Sequence, residues 1–361
     1  MTYHFPPEIG GIQTRMANYL ACLSKDGIRT NVFVVRPAGR FKGHGVSSPN
    51  LRVVRLDGGL SNLPRDFVLL LSTLARQRVD VVHVFTGAST ALGMMALFAG
   101  RSFHLAAAMS VFGKEDFALP SRFARVLLST SISLSTVVLT NSEATAKLLP
   151  PKARKKARIL LGGAQASTED RAGTAMGNGK SVLFVGRLVK RKGVADLIDA
   201  MALVRSQIPV ANLTIVGDGS ERKSLEEKVA KLGLGGAVAF KGTLRGKDLQ
   251  DEYERCSVFT LPSKEVAEDS ASEGLGLALI EAAMHAKPLV GTLHGGIPEL
   301  VYDGRNGLLV PPGDPAALAK ALINILSNVD LARSMGEEAL RMARTRFSWE
   351  RATDVLLESY A

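Results

Sequence analysis

Aromatic side chains and cysteines are scarce in this sequence. Phe, Tyr and Trp make up 6% of the 361 residues, which argues against a protein that binds single-stranded nucleic acid by stacking on its bases. The two cysteines, Cys22 and Cys256, stand in apolar surroundings far apart in the chain. We therefore expect buried free thiols and a reducing compartment, the cytoplasm.

Long apolar runs are also missing. The best candidate for a membrane span, residues 88–109, is interrupted by Arg101 and His104, whereas a spanning helix needs about 20 mostly apolar residues. Residues 4–8 read His-Phe-Pro-Pro-Glu rather than a basic and then an apolar run, so we expect no signal peptide. No cluster of His, Cys or Asp has the spacing of metal ligands, and we expect neither a metal nor another cofactor.

Positive charge is present in excess, with a formal net charge of +11 and a pI of about 9.7. Such a surface suits nucleic acid, anionic lipid or a phosphorylated substrate, but no nucleic-acid recognition motif accompanies it. The densest basic run, residues 152–158, is either a solvated surface or a contact with an anionic membrane. Residues 117–134, which mix Arg122 and Arg125 with apolar residues, are either a membrane-interface helix or an ordinary helix facing the core.

Strand-like runs alternate with amphipathic helical segments, which predicts an α/β fold with parallel sheets and helices on both faces. The predicted strands are 30–35, 51–56, 79–85, 104–109 and 137–140, and then 182–185, 212–216, 238–241, 257–261, 288–291 and 307–310. The predicted helices include 12–25, 63–76, 194–207, 221–232 and 277–285, and the end of the chain is helical with a break near Trp349.

A break in composition divides the chain. Residues 162–180 are rich in Gly, Ser, Thr and charge and have no periodicity, which is typical of a linker. We place the linker at 164–179, between domains 1–163 and 180–345. Only Met1 to Phe5 precede the Gly10-Gly11 loop, so the strand that normally opens a doubly wound domain is expected to be very short or missing.

Four segments carry candidate chemistry. Adjacent glycines at 10–11 open a helix, and backbone N–H groups at a helix start can approach an anion, although a Gly pair is more often only a turn. Segment 186–193 follows a buried strand with Arg187 and Lys192, cations that suit phosphate; a solvated basic loop is the alternative. A Gly-Asp-Gly turn follows the strand at 212–216.

The fourth segment is the most informative. Glu273 and Glu281 are separated by seven residues, and Gly274 and Gly276 stand at the start of a helix. Apolar neighbours indicate that Glu281 is partly buried, where a carboxylate needs a hydrogen-bonding partner. That partner is either a ribose diol or a salt-bridging residue of the protein.

These motifs together resemble the retaining glycosyltransferases of family 4, which have the GT-B fold. The resemblance includes the Glu-x7-Glu spacing, the Gly-Arg to Lys-Gly segment 186–193 and the Gly-Gly-Ile-Pro-Glu segment 295–299, and it covers nearly all of 180–325. Segments 5–13 and 265–272 are similar to the branch that contains phosphatidylinositol mannosyltransferases. The resemblance implies two Rossmann-like doubly wound domains facing a cleft, with residues 346–361 crossing back to the first.

The resemblance also implies roles for individual residues. Arg187 and Lys192 would bind the donor diphosphate and stabilise the leaving group, Glu273 would face the transferred sugar, and Glu281 would hold the ribose hydroxyls. The backbone of 274–276 would contact phosphate and sugar. The donor-binding candidates besides Glu281 are Gly10, Gly11, Gly186, Gly217, Asp218, Lys241, Gly242, Gly274, Leu275 and Gly276, with 240–242 near the base.

The expected reaction is transfer of a hexose with retention, without a metal and with mannose from GDP-mannose as the leading donor. The expected acceptor is a membrane lipid or a lipid-linked glycan, and the expected location is the cytoplasm, with peripheral contact at the inner face of the cell membrane.

The sequence departs from the family at Phe112, where many relatives have a His, and His83 and His104 are expected to be structural. Two alternatives therefore stay open. One is a nucleotide-sugar epimerase of the same fold, and the other is a sugar-nucleotide-binding protein with weakened catalysis.

Overall fold

The computed structural model describes residues 1–2, 11–35, 50–56, 60–85, 90–117, 119, 121–164, 179–267 and 273–361. The chain divides into two compact units. The first comprises Met1–Gly162 together with Trp349–Ala361, and the second comprises Gly163–Ser348. Most of the predicted linker, residues 165–178, lies outside the described residues, as do Gly10 and the polar segment 268–272.

The first unit is a parallel α/β unit. Its strands are β1 (Thr30–Val35), β2 (Leu51–Leu56), β3 (Val81–Val84), β4 (Ala106–Val111), β5 (Val137–Thr140) and β6 (Ala157–Ile159). Its helices are α1 (Gly11–Lys25), α2 (Leu63–Arg76), α3 (Ala91–Ser102), α4 (Arg122–Leu134), α5 (Glu143–Ala146), α6 (Pro151–Arg154) and, from the end of the chain, α13 (Trp349–Glu358). Parallel pairing joins β1 to β2 and, separately, β3 through β6 in order.

The first two residues join these two groups of strands. The Thr2 N–H donates to the carbonyl of Phe33 at 2.9 Å, and the Val35 N–H donates to the carbonyl of Thr2 at 3.0 Å. On the other side, the Phe85 N–H donates to the carbonyl of Met1 at 2.8 Å. Met1–Thr2 therefore occupy the position between β1 and β3 where the sequence predicted a very short or missing strand.

The last helix packs within the first unit. The ring of Trp349 lies edge-on to the ring of Tyr19 of α1, with 5.5 Å between centroids, and Leu356 is buried in the same apolar cluster. A helix with one apolar stripe must cover that stripe, and α1 provides the surface.

The second unit has the strands β7 (Ser181–Val185), β8 (Asn212–Val216), β9 (Val238–Gly242), β10 (Val258–Leu261), β11 (Leu289–Thr292) and β12 (Gly307–Val310). Its helices are α7 (Val194–Gln207), α8 (Arg222–Lys231), α9 (Gly246–Arg255), α10 (Leu277–Met284), α11 (Pro315–Ser327) and α12 (Val329–Arg346). Helix α7 packs against α11, and α10 packs against α12. The strand order is β12-β11-β10-β7-β8-β9, all parallel.

The basic run 152–158 overlaps the start of the edge strand β6, which the sequence did not predict, and its Lys152, Arg154, Lys155 and Arg158 are exposed, as in a surface segment. Lys156 Nζ instead donates to the carbonyls of Ile132 and Ser135 at the end of α4, at 2.5 Å each. One local prediction differs from the structure. His104 does not lie on a strand: it is exposed in the turn before β4, with a left-handed backbone (φ 59°).

Candidate active site

The strand order of the second unit defines where a ligand would bind. From β7 the chain adds β8 and β9 on one side, and then crosses to add β10, β11 and β12 on the other. Strands β7 and β10 are neighbours, with Val182 paired to Val258. In open parallel sheets the ligand crevice lies beyond the carboxyl ends of the strands at such a switch point. The loops that follow β7 and β10 are therefore the first place to look for chemistry.

A glycine brings these two loops into contact. Gly193 has φ +67°, and a Cβ added there would lie 1.9 Å from the carbonyl oxygen of Pro262. Only glycine permits both this conformation and this approach. The contact is reinforced by the Lys264 N–H, which donates to the carbonyl of Arg191 at 2.8 Å. Segment 190–193 after β7 is thereby held against segment 262–264 after β10.

Glu273 lies where these loops meet. Its Oε2 accepts hydrogen bonds from Lys192 Nζ at 2.6 Å and from Ser263 Oγ at 2.8 Å, and Arg191 NH1 stands 4.0 Å away. Glu273 is buried, with 7% of its surface exposed. A buried carboxylate requires such partners. Two residues that the sequence singled out, Lys192 and Glu273, are thus in direct contact.

The charge state of Glu273 follows from these neighbours. Burial by itself raises the pKa of this carboxyl, but the charge and hydrogen bond of Lys192, the Ser263 hydroxyl and the Arg191 charge together hold the pKa below its ordinary value. Glu273 is therefore ionised at neutral pH, and Lys192 and Glu273 form a buried ion pair.

Three glycines at the carboxyl ends of β7, β8 and β9 lie together beside this site. The Gly186 N–H donates to the carbonyl of Val216 at 3.0 Å, and the Gly217 N–H donates to the carbonyl of Gly242 at 2.7 Å. Gly217 (φ +135°) would place a Cβ 1.9 Å from the Gly186 carbonyl oxygen. The predicted Gly186, Gly217 and Gly242 therefore meet at one edge of the sheet.

The carboxylate of Asp218, in the turn after β8, already interacts with other groups of the protein. Its Oδ1 accepts from the Gly219 N–H at 2.7 Å, and its Oδ2 is 3.8 Å from Arg222 NH1. Arg187 is exposed in the preceding loop. Asp218 thus shapes the turn, while Arg187 is accessible to a ligand.

Helix α10 begins beside Glu273. Gly276 is its N-cap with φ +81°, Leu275 is buried, and Gly274 is partly exposed. The next loop closes on the same residue, since the Gly296 N–H donates to the Glu273 carbonyl at 3.1 Å. The first N–H groups of a helix lack partners within the helix and attract anions. An anion here would meet both this helix start and Lys192.

Glu281 lies in the second turn of α10 and has a different partner. Its Oε2 accepts a hydrogen bond from the hydroxyl of Tyr253 on α9 at 2.7 Å. Burial raises the pKa of Glu281, and the bond from Tyr253 only partly opposes this effect. The pKa of Tyr253 is raised well above its usual value by burial and by the neighbouring carboxylate.

Lys241 has a different neighbourhood from the residues around Glu273. Its Nζ is 3.9 Å from Glu252 on α9, and both line a cavity of about 370 Å³ that also reaches Ser181, Asn212 and Cys256. Ser181 and Asn212 begin their strands, so the cavity extends towards the amino ends, away from the switch point. A role for Lys241 near the base stays a prediction.

The first unit holds the remaining candidates. Gly11 is exposed at the start of α1, and Gly10 lies outside the described residues. Phe112, where a His was expected, is buried against Phe85 with 5.0 Å between ring centroids. The guanidinium of Arg15 stands 5.9 Å from the Phe112 ring. Phe112 therefore belongs to an aromatic core.

His83 is also bound within this unit. Its Nδ1 is 2.7 Å from the Tyr360 hydroxyl, and its Nε2 is 2.8 Å from Ser110 Oγ. Burial lowers the pKa of His83 to about 3, so the ring is neutral. These contacts fit the structural role predicted for it.

Sequence reasoning missed three residues of the site: Ser263, Arg191 and Tyr253. Ser263 and Arg191 lie in the loops that follow β10 and β7, and that position was the available signal. Tyr253 gave none, because a Tyr in an amphipathic helix is usually an ordinary core residue.

Within the described part of the chain, no group of three or more His, Cys, Asp or Glu side chains is arranged to hold a metal ion. None of its helices combines the length and the apolar character that crossing a bilayer requires.

Comparison with known proteins identifies the family. Residues 166–342 match the family model described as Glycosyl transferases group 1, and residues 10–161 match the model described as Glycosyl transferase 4-like domain. The chain is 28% identical to the GDP-mannose-dependent alpha-(1-6)-phosphatidylinositol monomannoside mannosyltransferase of Mycolicibacterium smegmatis, over 97% of this chain and 94% of that protein.

Two further relatives extend the comparison. The D-inositol 3-phosphate glycosyltransferase of Corynebacterium urealyticum is 35% identical over 55% of this chain and 47% of its own length. The crystal structure of Anabaena HepE in complex with UDP and glucose superposes with a TM-score of 0.75 at 20% identity, covering 99% of both chains. The predicted fold class and enzyme class are confirmed. The chain belongs to the glycosyltransferases of family 4, which have the GT-B fold.

Proposed function

We propose that this glycosyltransferase moves mannose from GDP-mannose, with retention of configuration, to a lipid or lipid-linked acceptor at an anionic membrane surface. The observation that carries the chemistry is the Lys192–Glu273 pair beside the start of α10. The mannosyltransferase of M. smegmatis, related over nearly the whole chain, supports the choice of donor.

Positive charge supports departure of a nucleoside diphosphate. Lys192 has 13% of its side chain exposed, Arg187 is exposed five residues earlier in the same loop, and the N-terminus of α10 adds a partial positive charge. Groups fixed in advance around developing negative charge stabilise a transition state strongly, since they need no reorganisation. The protein's own cations would therefore stabilise the leaving diphosphate.

The state of Glu273 limits its role. Its pKa is held below the ordinary range despite burial, so it has no proton to donate at neutral pH. Its Oε2 is already bound by Lys192 and Ser263, which fits a group that positions the sugar better than a nucleophile. The acceptor's proton would then pass to an oxygen of the departing phosphate, on the face of the sugar where the acceptor attacks.

One face of the first unit supports contact with a membrane. Helix α4 buries Leu127, Leu128 and Ile132 but exposes 67% of Phe123 and 60% of Val126. Helix α4 therefore has a side that faces the core and a side with exposed apolar residues. Its exposed Arg122 and Arg125 directly precede Phe123 and Val126, and neighbouring α3 exposes Phe98. Apolar side chains flanked by arginines suit an anionic lipid surface.

The test of the chemistry compares donors. The protein is mixed with GDP-mannose, UDP-glucose or UDP-N-acetylglucosamine, with and without membrane lipid extract, and release of nucleotide is followed. We expect release from GDP-mannose that lipid accelerates, and that Lys192→Ala and Glu273→Ala each slow about 100-fold or more. The matched control is Lys228→Ala. Lys228 lies on α8, and its Nζ forms an ion pair with Asp199 at 2.7 Å.

Other results would redirect the proposal. Turnover of a UDP-sugar alone contradicts the mannose donor. Binding of a donor without transfer favours the weakened binding protein, and epimerised donor without acceptor favours the epimerase.

The membrane contact is tested with vesicles. Phe123→Ser combined with Val126→Ser should reduce cosedimentation with vesicles of phosphatidylcholine and anionic phosphatidylglycerol several-fold, because about 0.8 kcal/mol is lost for each buried CH₂ that no longer inserts. Val210→Ser removes an apolar side chain that is 73% exposed in the second unit, and should have no effect. Equal binding by all variants would reject this face as the contact.

A further inference from the structure

The hydrogen bond between Tyr253 and Glu281 is unusual for its chemistry. Glu281 is partly buried, and a carboxylate withdrawn from water is normally matched by a cation, as Glu273 is by Lys192. Glu281 instead receives a neutral phenol at 2.7 Å, and among the described residues no cation forms an ion pair with it. A neutral donor orients a carboxylate without neutralising its charge, so the carboxylate remains a strong acceptor.

The phenol is itself held in place. Tyr253 is 2% exposed, and its ring stacks on His285 with 5.4 Å between centroids and 12° between planes. The ring of Phe259, on β10, lies 5.8 Å away on a tilted plane. Rotation of the Tyr253 ring about its own axis leaves the hydroxyl in place, so this packing fixes the direction of the hydrogen bond.

His285 is the C-cap of α10 and follows Glu281 by four residues. Residues spaced in this way lie on one face of a helix, so Glu281 and His285 are neighbours. Tyr253 therefore contacts that face twice, through its ring at His285 and through its hydroxyl at Glu281. This double contact joins α9 to α10 and limits the rotamers open to the Glu281 side chain.

Because Tyr253 occupies one oxygen of the Glu281 carboxylate, the lone pairs that remain to accept hydrogen bonds have defined directions. With Oε2 bound to Tyr253, the lone pairs of Oε1 and the remaining one on Oε2 point in fixed directions, and a carboxylate can accept two adjacent hydroxyls. A vicinal diol such as that of ribose matches this arrangement. Orientation before binding lowers the entropic cost of binding.

We propose that Tyr253 is a positioning residue, which aligns the Glu281 carboxylate for the 2′,3′-diol of the donor's ribose. The inference rests on the proposed function, together with the role that the family resemblance implies for Glu281, which is to hold the ribose hydroxyls. The inference adds Tyr253, on α9, to the residues that determine how the ribose is bound. The preference for a ribonucleotide then depends on the neutral Tyr253 hydroxyl, which does not contact the ligand.

The experiment crosses protein variants with ligand variants. Binding of GDP and of 2′,3′-dideoxy-GDP to the full chain is measured by calorimetry for the wild type, Tyr253→Phe and Glu281→Gln, and UDP with its dideoxy form is run in parallel. The wild type should prefer GDP at least about tenfold. Tyr253→Phe should lose about fivefold in GDP affinity and change less than twofold for the dideoxy form.

Tyr360→Phe is the matched control. It removes another buried hydroxyl with a 2.7 Å hydrogen bond, to His83 in the other unit, and should leave both affinities unchanged. Circular dichroism and thermal unfolding establish that Tyr253→Phe, which keeps the ring, is folded.

The outcomes separate the two ideas. If Glu281→Gln abolishes the preference for the diol while Tyr253→Phe keeps it, the positioning role is wrong and the proposed function stands. If Tyr253→Phe weakens both nucleotides equally, Tyr253 is merely structural. If the wild type shows no preference for the diol, or neither nucleotide binds, the role of Glu281 in the proposed function fails first.

Discussion

Glu273 and Glu281 stand eight positions apart, one before the start of α10 and one in its second turn. Burial raises the pKa of both. At Glu273 the effects of Lys192, Ser263 and Arg191 together outweigh burial and the pKa falls, whereas at Glu281 the only described donor is the neutral Tyr253 and the pKa rises. Two identical side chains in one motif are thus prepared for different tasks.

The difference lies in what the backbone brings to each carboxylate. Glu273 sits in a loop, where three separate segments converge on it: Lys192 after β7, Ser263 after β10 and Gly296 after β11. Glu281 is part of a regular helix and meets only what packs on that helix. Convergent loops can assemble cations around a charge, while helix packing supplies a shaped and mostly apolar setting.

The largest effect on the surroundings of Glu273 is expected from Gly193→Ala. The added Cβ would lie 1.9 Å from the Pro262 carbonyl oxygen, so the loops that carry Lys192 and Ser263 would have to separate. We expect a loss of at least about 3 kcal/mol in the free energy of unfolding, from the left-handed backbone and the clash together. Donor turnover should fall to the level of Lys192→Ala.

Gly233→Ala is its control. Gly233 has nearly the same φ, +69°, but its added Cβ meets nothing within 4 Å, so only the backbone term of about 1 kcal/mol remains. Unfolding is followed by circular dichroism, because the single Trp, Trp349, belongs to the other unit. Equal losses in the two variants would show that the contact with Pro262 does not hold the site together.

Much of the fold could be predicted because its signals are local. The runs 30–35, 51–56, 137–140, 212–216 and 307–310 form strands with the predicted bounds, since buried parallel strands read as short β-branched runs between turn residues. Strand β6 was missed because it has only three residues, at the edge of the sheet, with Arg158 at its centre and a run of basic residues directly before it. His104 was assigned to a strand because its left-handed turn carries no Gly to mark it.

The candidate site also has a part with local sequence signals, which could be predicted, and a part that depends on distant contacts, which could not. Arg187, Lys192 and Glu273 could be picked out because each follows a strand in a glycine-rich segment. Their pairing could not, since Lys192 and Glu273 are 81 residues apart and meet only through the order of the strands. Tyr253 is 28 residues from Glu281, and periodicity cannot tell a hydrogen-bonding Tyr from one that only packs.

A smaller effect, the pH dependence of stability, also distinguishes Glu273 from Glu281. Glu273 has a lowered folded-state pKa, so its contribution is complete above its unfolded pKa, about 4.3, and is lost as pH falls through the folded value. Glu281 has a raised pKa, so its contribution is complete below about 4.3 and is lost as pH rises through the folded value. The stability of the wild type relative to Glu273→Gln should therefore shrink on acidification.

Relative to Glu281→Gln, that stability should instead shrink as the pH rises from about 4 towards neutrality, with neither slope exceeding about 1.4 kcal/mol per pH unit. Hydrogen exchange of peptides from α10, measured between about pH 5 and 8 with intrinsic exchange rates corrected, reports the Glu281 window. Urea unfolding at lower pH reports the Glu273 window. If the stability shrank with rising pH in both comparisons, both carboxylates would be controlled by burial alone, and the division between a charged residue and a hydrogen-bonding one would be wrong.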